Sequence, residues 1–256
     1  MINSDNPSSK SDEVAKIIPE LYNDSLKSAV QESGKAISLI PRAINAALSP
    51  LRQWIAQKEY NVAETEKLLA EKLKHISPDK ISTPEAYIAI PTMQALSYSM
   101  TSAELRNLYA NLLARAMNVD TKNSVHPSFI EIIKQLSPID SVIFKIIMTS
   151  KFRPLITIQS KTPNGGVVTV QEYFSWITDY DPIQCCTSFS NLLRLGLIEI
   201  PHGEGYIDKK IYDTVKKSSY FQRLENTLKA LPLIHIESYI KINNFSILFF
   251  DICVDD

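Results

Sequence analysis

The chain has 256 residues, 45% of them hydrophobic and 21% charged, with a formal net charge of -1. That composition belongs to an ordinary globular protein with enough apolar material for one large domain or two modest ones. The near-neutral balance gives no overall attraction to nucleic acid or anionic lipid, and no apolar run approaches the roughly 18 residues of a membrane span.

Residues 1–10 are polar and read as a disordered tail. A helix is predicted from near Asp12, with Ile17, Ile18, Leu21, Leu26 and Val30 facing inward. Next, Ile37, Ile40, Ile44, Leu48, Leu51 and Ile55 recur at steps of three and four, an amphipathic stripe interrupted by Pro41 and Pro50. ETEKLLAEKLKH (64–75) reads as a solvated helix with Lys67 and Glu71 four apart, ended by Ser77-Pro78-Asp79. Residues 79–92 hold Pro84 and Pro91 and read as an extended strap before a helix over Thr92–Ser99. Thr101 and Glu104 have capping-box spacing. In the helix that follows, Leu105, Leu108, Tyr109, Leu112, Leu113 and Ala116 make one broad apolar face. Asn118–Ser124 is a polar connector. Phe129, Ile130, Ile132, Ile133 and Leu136 repeat the helical pattern after His126-Pro127, and Ser137-Pro138 opens another helix.

After residue 151 the texture changes. LITIQ, the PNGG turn at Pro163–Gly166 and VVTV predict a strand pair or a strand and loop. Thr169 and Glu172 repeat the capping-box spacing and predict a helix through Tyr173, Phe174, Trp176 and Ile177. Asp181-Pro182 opens a third helix, which Gly196 stops. LIEI (197–200) reads as a strand, and IKINNFSILFFDICV as a returning strand with a terminal helix capped by Asn243 or Asn244. Helices followed by strands in this order predict a winged-helix-like module, with a helical insertion over about 207–231. The expected fold is mainly α, with an N-terminal helical bundle over 11–150 and a winged-helix-like α+β domain over 151–256.

Few residues offer chemistry. His126 sits before Pro127 at a helix start, where a cap or connector role competes with a functional one. His75, His202 and His235 stand apart, with no metal-ligand spacing. Adjacent Cys185 and Cys186 lie in an apolar helix and read as packing residues. With Cys253 they form no CxxC pair and fit a reducing compartment. No Walker loop, GxSxG or GxGxxG occurs, and Glu104, Asp120, Glu131 and Asp140 have no spacing that gathers them. No catalytic residue, cofactor site or metal site is predicted. The opening MINSDNPSSKSDE lacks the basic start and apolar core of a signal peptide, so a cytoplasmic location is expected.

The helix over Pro182–Leu195 has Arg194 as its only cation, a poor equipment for phosphate contact. The inserted segment is richer, with Lys209, Lys210, Lys216, Lys217, Arg223 and Lys229 against Asp208, Asp213 and Glu225. This basic face reads either as solvated surface or as a nucleic-acid or partner contact. The Ile37–Ile55 stripe reads as a helix-helix interface, with a membrane-surface helix, Arg42 and Arg52 snorkelling, as the alternative.

The segments LRNLYANLLARAM (105–117), HPSFIEIIKQLSP (126–138) and NLLRLGLIEIP (191–201) carry a resemblance to the abortive-infection alpha family of bacterial phage-resistance proteins. Tyr109, Asn111, His126 and Pro127 stand in its most specific block. SGKAISLIPRAINAALSPLRQWI (33–55) is similar to the family's opening. Where the family has a threonine-phenylalanine-glycine turn, this chain reads Asn244-Phe245-Ser246. The resemblance implies an anti-phage factor acting on a protein partner or through self-association. DNA regulation through the winged helix is the alternative, and membrane disruption through 36–56 a weaker one. It supplies no catalytic residues.

Overall fold

The computed structural model describes residues 62–99, 101–229 and 232–255. The predicted tail, the first helix and the Ile37–Ile55 stripe lie outside the described residues. The described chain is mainly helical, with nine α-helices and one three-stranded antiparallel sheet. Among the described residues no helix is long and apolar enough to cross a membrane. Two compact units divide the chain between Gln135 and Leu136, and the chain returns to the first unit at Asp251.

In the first unit, α1 (Val62–Leu73), α2 (Ala86–Tyr98), α3 (Ala103–Met117) and α4 (Ser128–Lys134) pack through the apolar faces their spacing announces. Leu69, Leu73, Leu112, Leu113, Phe129 and Ile133 are fully buried. The solvated face of α1 is there, with Glu71 bound by Lys74.

Two local expectations change. The strap over 79–92 is instead largely helical, because α2 begins at Ala86 and runs through Pro91. Ile88, Ala89, Met93 and Leu96 bury one face at helical spacing. The carbonyl that Pro91 leaves without a donor belongs to Tyr87, a residue on the exposed face of the helix. The Thr92 hydroxyl donates to the Ile88 carbonyl in the same turn. The cap of α3 is Ser102, not Thr101. Its hydroxyl oxygen accepts from Leu105 N–H at 3.2 Å and its own O–H donates to Glu104.

The second unit begins with α5 (Pro138–Thr149), opened by a reciprocal capping box between Ser137 and Asp140. β1 (Pro154–Lys161) and β2 (Val167–Phe174) form the predicted hairpin, with Gly165 at φ +83° in its turn. The helix expected over Thr169–Ile177 is absent: Thr169 pairs with Gln159, Gln171 with Ile158 and Phe174 with Ile156. The Thr-x-x-Glu signal is a few local hydrogen bonds. Pairing with a central strand, fixed on its other side by β3 (Leu233–Tyr239), outweighs it.

Then α6 (Pro182–Arg194) follows as predicted. Asp181 accepts from Ile183 and Gln184 N–H, and Gly196 at φ +72° ends the helix. The expected strand at 197–200 reduces to one bridge, Glu199 with Lys241. The returning strand lies earlier than expected, at Leu233–Tyr239. The insertion is helical but broken into a 3-10 turn (Lys209–Tyr212), α7 (Asp213–Lys216) and α8 (Ser219–Thr227), with Ser218 capping the last. These pieces cover the sheet, so that Ile156, Ile158 and Phe174 share a core with Cys186, Tyr212, Val215 and Phe221. A ring stack of 5.9 Å joins Phe174 to Phe221.

Finally α9 (Asn244–Phe249) starts with a capping box. Asn243 accepts from Ser246 N–H at 2.8 Å, and Ser246 Oγ accepts from Asn243 N–H. Serine at 246 thus does locally what a glycine there could not. A π-helical turn, Phe250–Val254, ends the element.

Candidate functional site

The family-like block of α3 and α4 turns its marked residues inward or into capping. Tyr109 is 1% exposed, and burial pushes its phenol well above the ordinary value. Asn111 is buried, and its side-chain amide donates to the Cys253 carbonyl at 3.1 Å, tying the π-helical turn to α3. The His126 Nδ1 accepts from Ser128 N–H at 3.1 Å and lies 2.7 Å from the Ser128 hydroxyl. Its ring centroid is 6.0 Å from that of Phe129. With Pro127 at the helix boundary, His126 organises the first turn of α4. The acidic residues are likewise committed locally. Asp120 binds Lys80 at 2.6 Å, Glu131 binds Lys134 at 2.7 Å, and Asp140 accepts from Asn191 at 3.0 Å. Among the described residues no three histidines, cysteines or acids gather as metal ligands would.

The basic segment of the second unit is substantially neutralised. Lys209 and Lys216 both reach Glu237 on β3 at 2.6 Å, and Lys217 holds Asp213 at 2.8 Å. Burial pushes the Glu237 carboxyl up, but the two lysine hydrogen bonds outweigh it and the net shift is downward. Gly205 lies close to this corner, where a Cβ would fall 2.9 Å from the Tyr212 hydroxyl and 3.2 Å from the Glu237 carbonyl. Lys210 and Arg223 are exposed, and the Arg194 guanidinium donates to the Asn191 amide oxygen at 2.7 and 3.2 Å.

All three thiols are buried. Burial pushes Cys185 up to about 11 and Cys186 up to about 12, and raises Cys253 well above its ordinary value. None is poised as a thiolate nucleophile.

One concave feature of the second unit has no counterpart in the sequence reading. A cleft of about 300 Å3 lies at the C-terminal end of α5, walled by Ile146, Phe152, Trp176 and Phe189 and polar at Arg153 and Ser150. Arg153 is half-buried. Its Nε donates to the Ile147 carbonyl, which also accepts from Ser150 N–H, and its Nη2 to the Met148 carbonyl at 3.2 Å, both in the last turn of α5. Burial pulls the guanidinium below its usual value. The lining comes from segments far apart in the chain, so no local pattern could have announced it. The one legible signal was a lone Lys-Phe-Arg-Pro step after a helix.

No curated protein and no solved structure matches the chain. The family comparison is positive over most of its length: the model described as abortive infection alpha matches residues 57–253, leaving the family-like opening at 33–55 outside the match. The chain therefore belongs to the abortive infection alpha family.

Proposed function

We propose that the protein is an abortive-infection factor that acts in the cytoplasm by binding a phage or host macromolecule, without catalysis. The match over residues 57–253 carries this reading. The disposition of the motif residues supports a binding role: Tyr109 and Asn111 build the core, His126 caps a helix, and the thiols are sealed. What remains for recognition is the surface those residues hold in shape. The test is expression in a phage-sensitive host, following culture density at low and high phage dose. Survival at low dose with collapse at high dose is expected. No protection across a diverse phage panel would overturn the reading.

A second reading takes the unit from Leu136 as a winged-helix-like DNA-binding module. Its support is α6 beside a three-stranded antiparallel sheet, with Lys210 and Arg223 exposed. The pairing of Lys209, Lys216 and Lys217 weakens it, since phosphate contact needs uncommitted cations. Duplex binding with a steep salt dependence, lost when Lys209, Lys210, Lys216 and Lys217 become Glu, would favour this reading over the first. The membrane alternative rests on residues 36–56, outside the described residues. Liposome flotation unchanged by Ile44→Asp and Leu48→Asp would remove it.

A further inference from the structure

We propose that the cleft at the end of α5 is a binding site for a small organic carboxylate, its apolar body against Trp176 and Phe152 and its anionic end at Arg153.

Three observations converge on that chemistry. The cavity, at about 300 Å3, lies at the small end of the range of about 300–1,000 Å3 typical of ligand pockets. Its walls are mostly apolar: the half-buried indole of Trp176, half-buried Ile146 and Ile177, and the exposed ring of Phe152. The single charged group in the lining is Arg153, and no acidic side chain lines the cleft.

The charge balance at Arg153 is incomplete. Two of its nitrogens, Nε and Nη2, donate to the last carbonyls of α5. A helix C-terminus offers only about half an elementary negative charge. No carboxylate pairs with Arg153 among the described residues, and Nη1 has no protein partner there. Those two donations fix the guanidinium plane, so a ligand meets a preorganised donor rather than a mobile side chain.

The occupant follows by elimination. A metal ion would meet a cation and no carboxylate. A nucleic-acid backbone needs several cations, and the cleft has one. A neutral apolar molecule would bury the Arg153 charge further with nothing to offset it. An aromatic or alicyclic carboxylate satisfies both walls and charge, through charge-assisted hydrogen bonding to Arg153. This site goes beyond the defence reading and stands or falls without it.

The experiment uses the full chain carrying Trp54→Phe, which leaves Trp176 as the sole indole. Phenylacetate and cyclohexanecarboxylate are titrated against Trp176 fluorescence, with phenylacetamide as the neutral match. A saturable change is expected for the two acids, with the amide at least about tenfold weaker. Thr178→Phe, an exposed position on the rim, should abolish the change. Arg153→Gln should reduce affinity for the acids to that for the amide. Should Arg153→Gln fail to fold by circular dichroism, Thr178→Phe and the amide comparison still decide. No saturation by either acid up to about 10 mM, equal affinity for acid and amide, or unchanged affinity in Thr178→Phe would each overturn the proposal.

Discussion

The block from α3 to α4 and the sheet from β1 to β3 are both built around buried aromatics, but they are assembled by different physics. In the first, each helix carries its own apolar face and its own start signal, and neighbours in sequence are neighbours in space. In the second, the central strand ends at Lys161 and its partner β3 begins at Leu233, so the pairing closes a loop of chain that includes α6, α7 and α8. Local signals hold where no distant segment competes for the same backbone. The Ser-x-x-Asp box at Ser137 and the Asp181 cap form as their spacing implies, while the equally well-spaced Thr169–Glu172 is pulled into a strand.

The largest test of this contrast is core truncation. Phe129→Ala in the first unit and Phe174→Ala in the second should each cost about 3–5 kcal/mol in denaturant unfolding. If the local block is independently robust, Phe174→Ala will give a broadened, two-step transition in which helical signal outlasts the loss of the sheet. A single cooperative transition in both variants would erase the distinction.

Thiol accessibility sharpens it further. At pH 8 a thiol raised to about 11 is roughly one-thousandth thiolate, so Cys185 and Cys186 should react with a disulfide reagent at least about a hundredfold slower than in the unfolded chain. Single-cysteine variants compare them with Cys253 of the first unit. Slower modification of Cys253 is expected if the sheet unit opens first, and the reverse order would place the weaker unit at the N-terminal side.

The polar ties that close each unit give an intermediate effect. Asn111→Leu removes the donor to the Cys253 carbonyl and should cost about 2 kcal/mol. Glu237→Gln releases Lys209 and Lys216 and should cost about 1 kcal/mol, limited because Lys209 is 65% exposed. The Glu237 carboxyl is lowered in the folded chain, so its contribution is present in full above its ordinary value of 4.5. That contribution is lost as pH falls through the lowered value. Unfolding free energies of the native chain and Glu237→Gln should therefore differ at pH 7 and converge below pH 4.5. A constant difference would mean that the lysine pairing is not what Glu237 supplies.

The smallest expected effects are at the caps. Asp181→Ala removes an acceptor serving two N–H groups and should cost about 1 kcal/mol. Ser102→Ala, with one such bond, should cost about 0.5–1 kcal/mol. Thermal unfolding of the two variants checks the order.

Much of the fold was legible because it is periodic. The apolar faces of α3, α4 and α5, the hairpin around Gly165, the cap at Asp181 and the stop at Gly196 are all consequences of residues a few positions apart. The helix through Pro91 was not legible, since buried Ile88, Met93 and Leu96 override a local breaker only once there is a core to bury them. The basic face of the insertion was visible as charge. Its neutralisation was not, because Glu237 lies outside the segment, on a strand whose place depends on the sheet. The same holds for the cleft at Arg153, whose walls come from α5, the Ser175–Thr178 segment and α6. Spacing and contiguous motifs were enough for α3 to α6, the cap at Asp181, the stop at Gly196 and the family. Tertiary contacts settled the strand at Thr169, the pairing of Lys209 and Lys216 with Glu237, and the surroundings of Arg153. Each of those depends on which distant segment arrives beside it, and the free energy of that encounter exceeds any local preference.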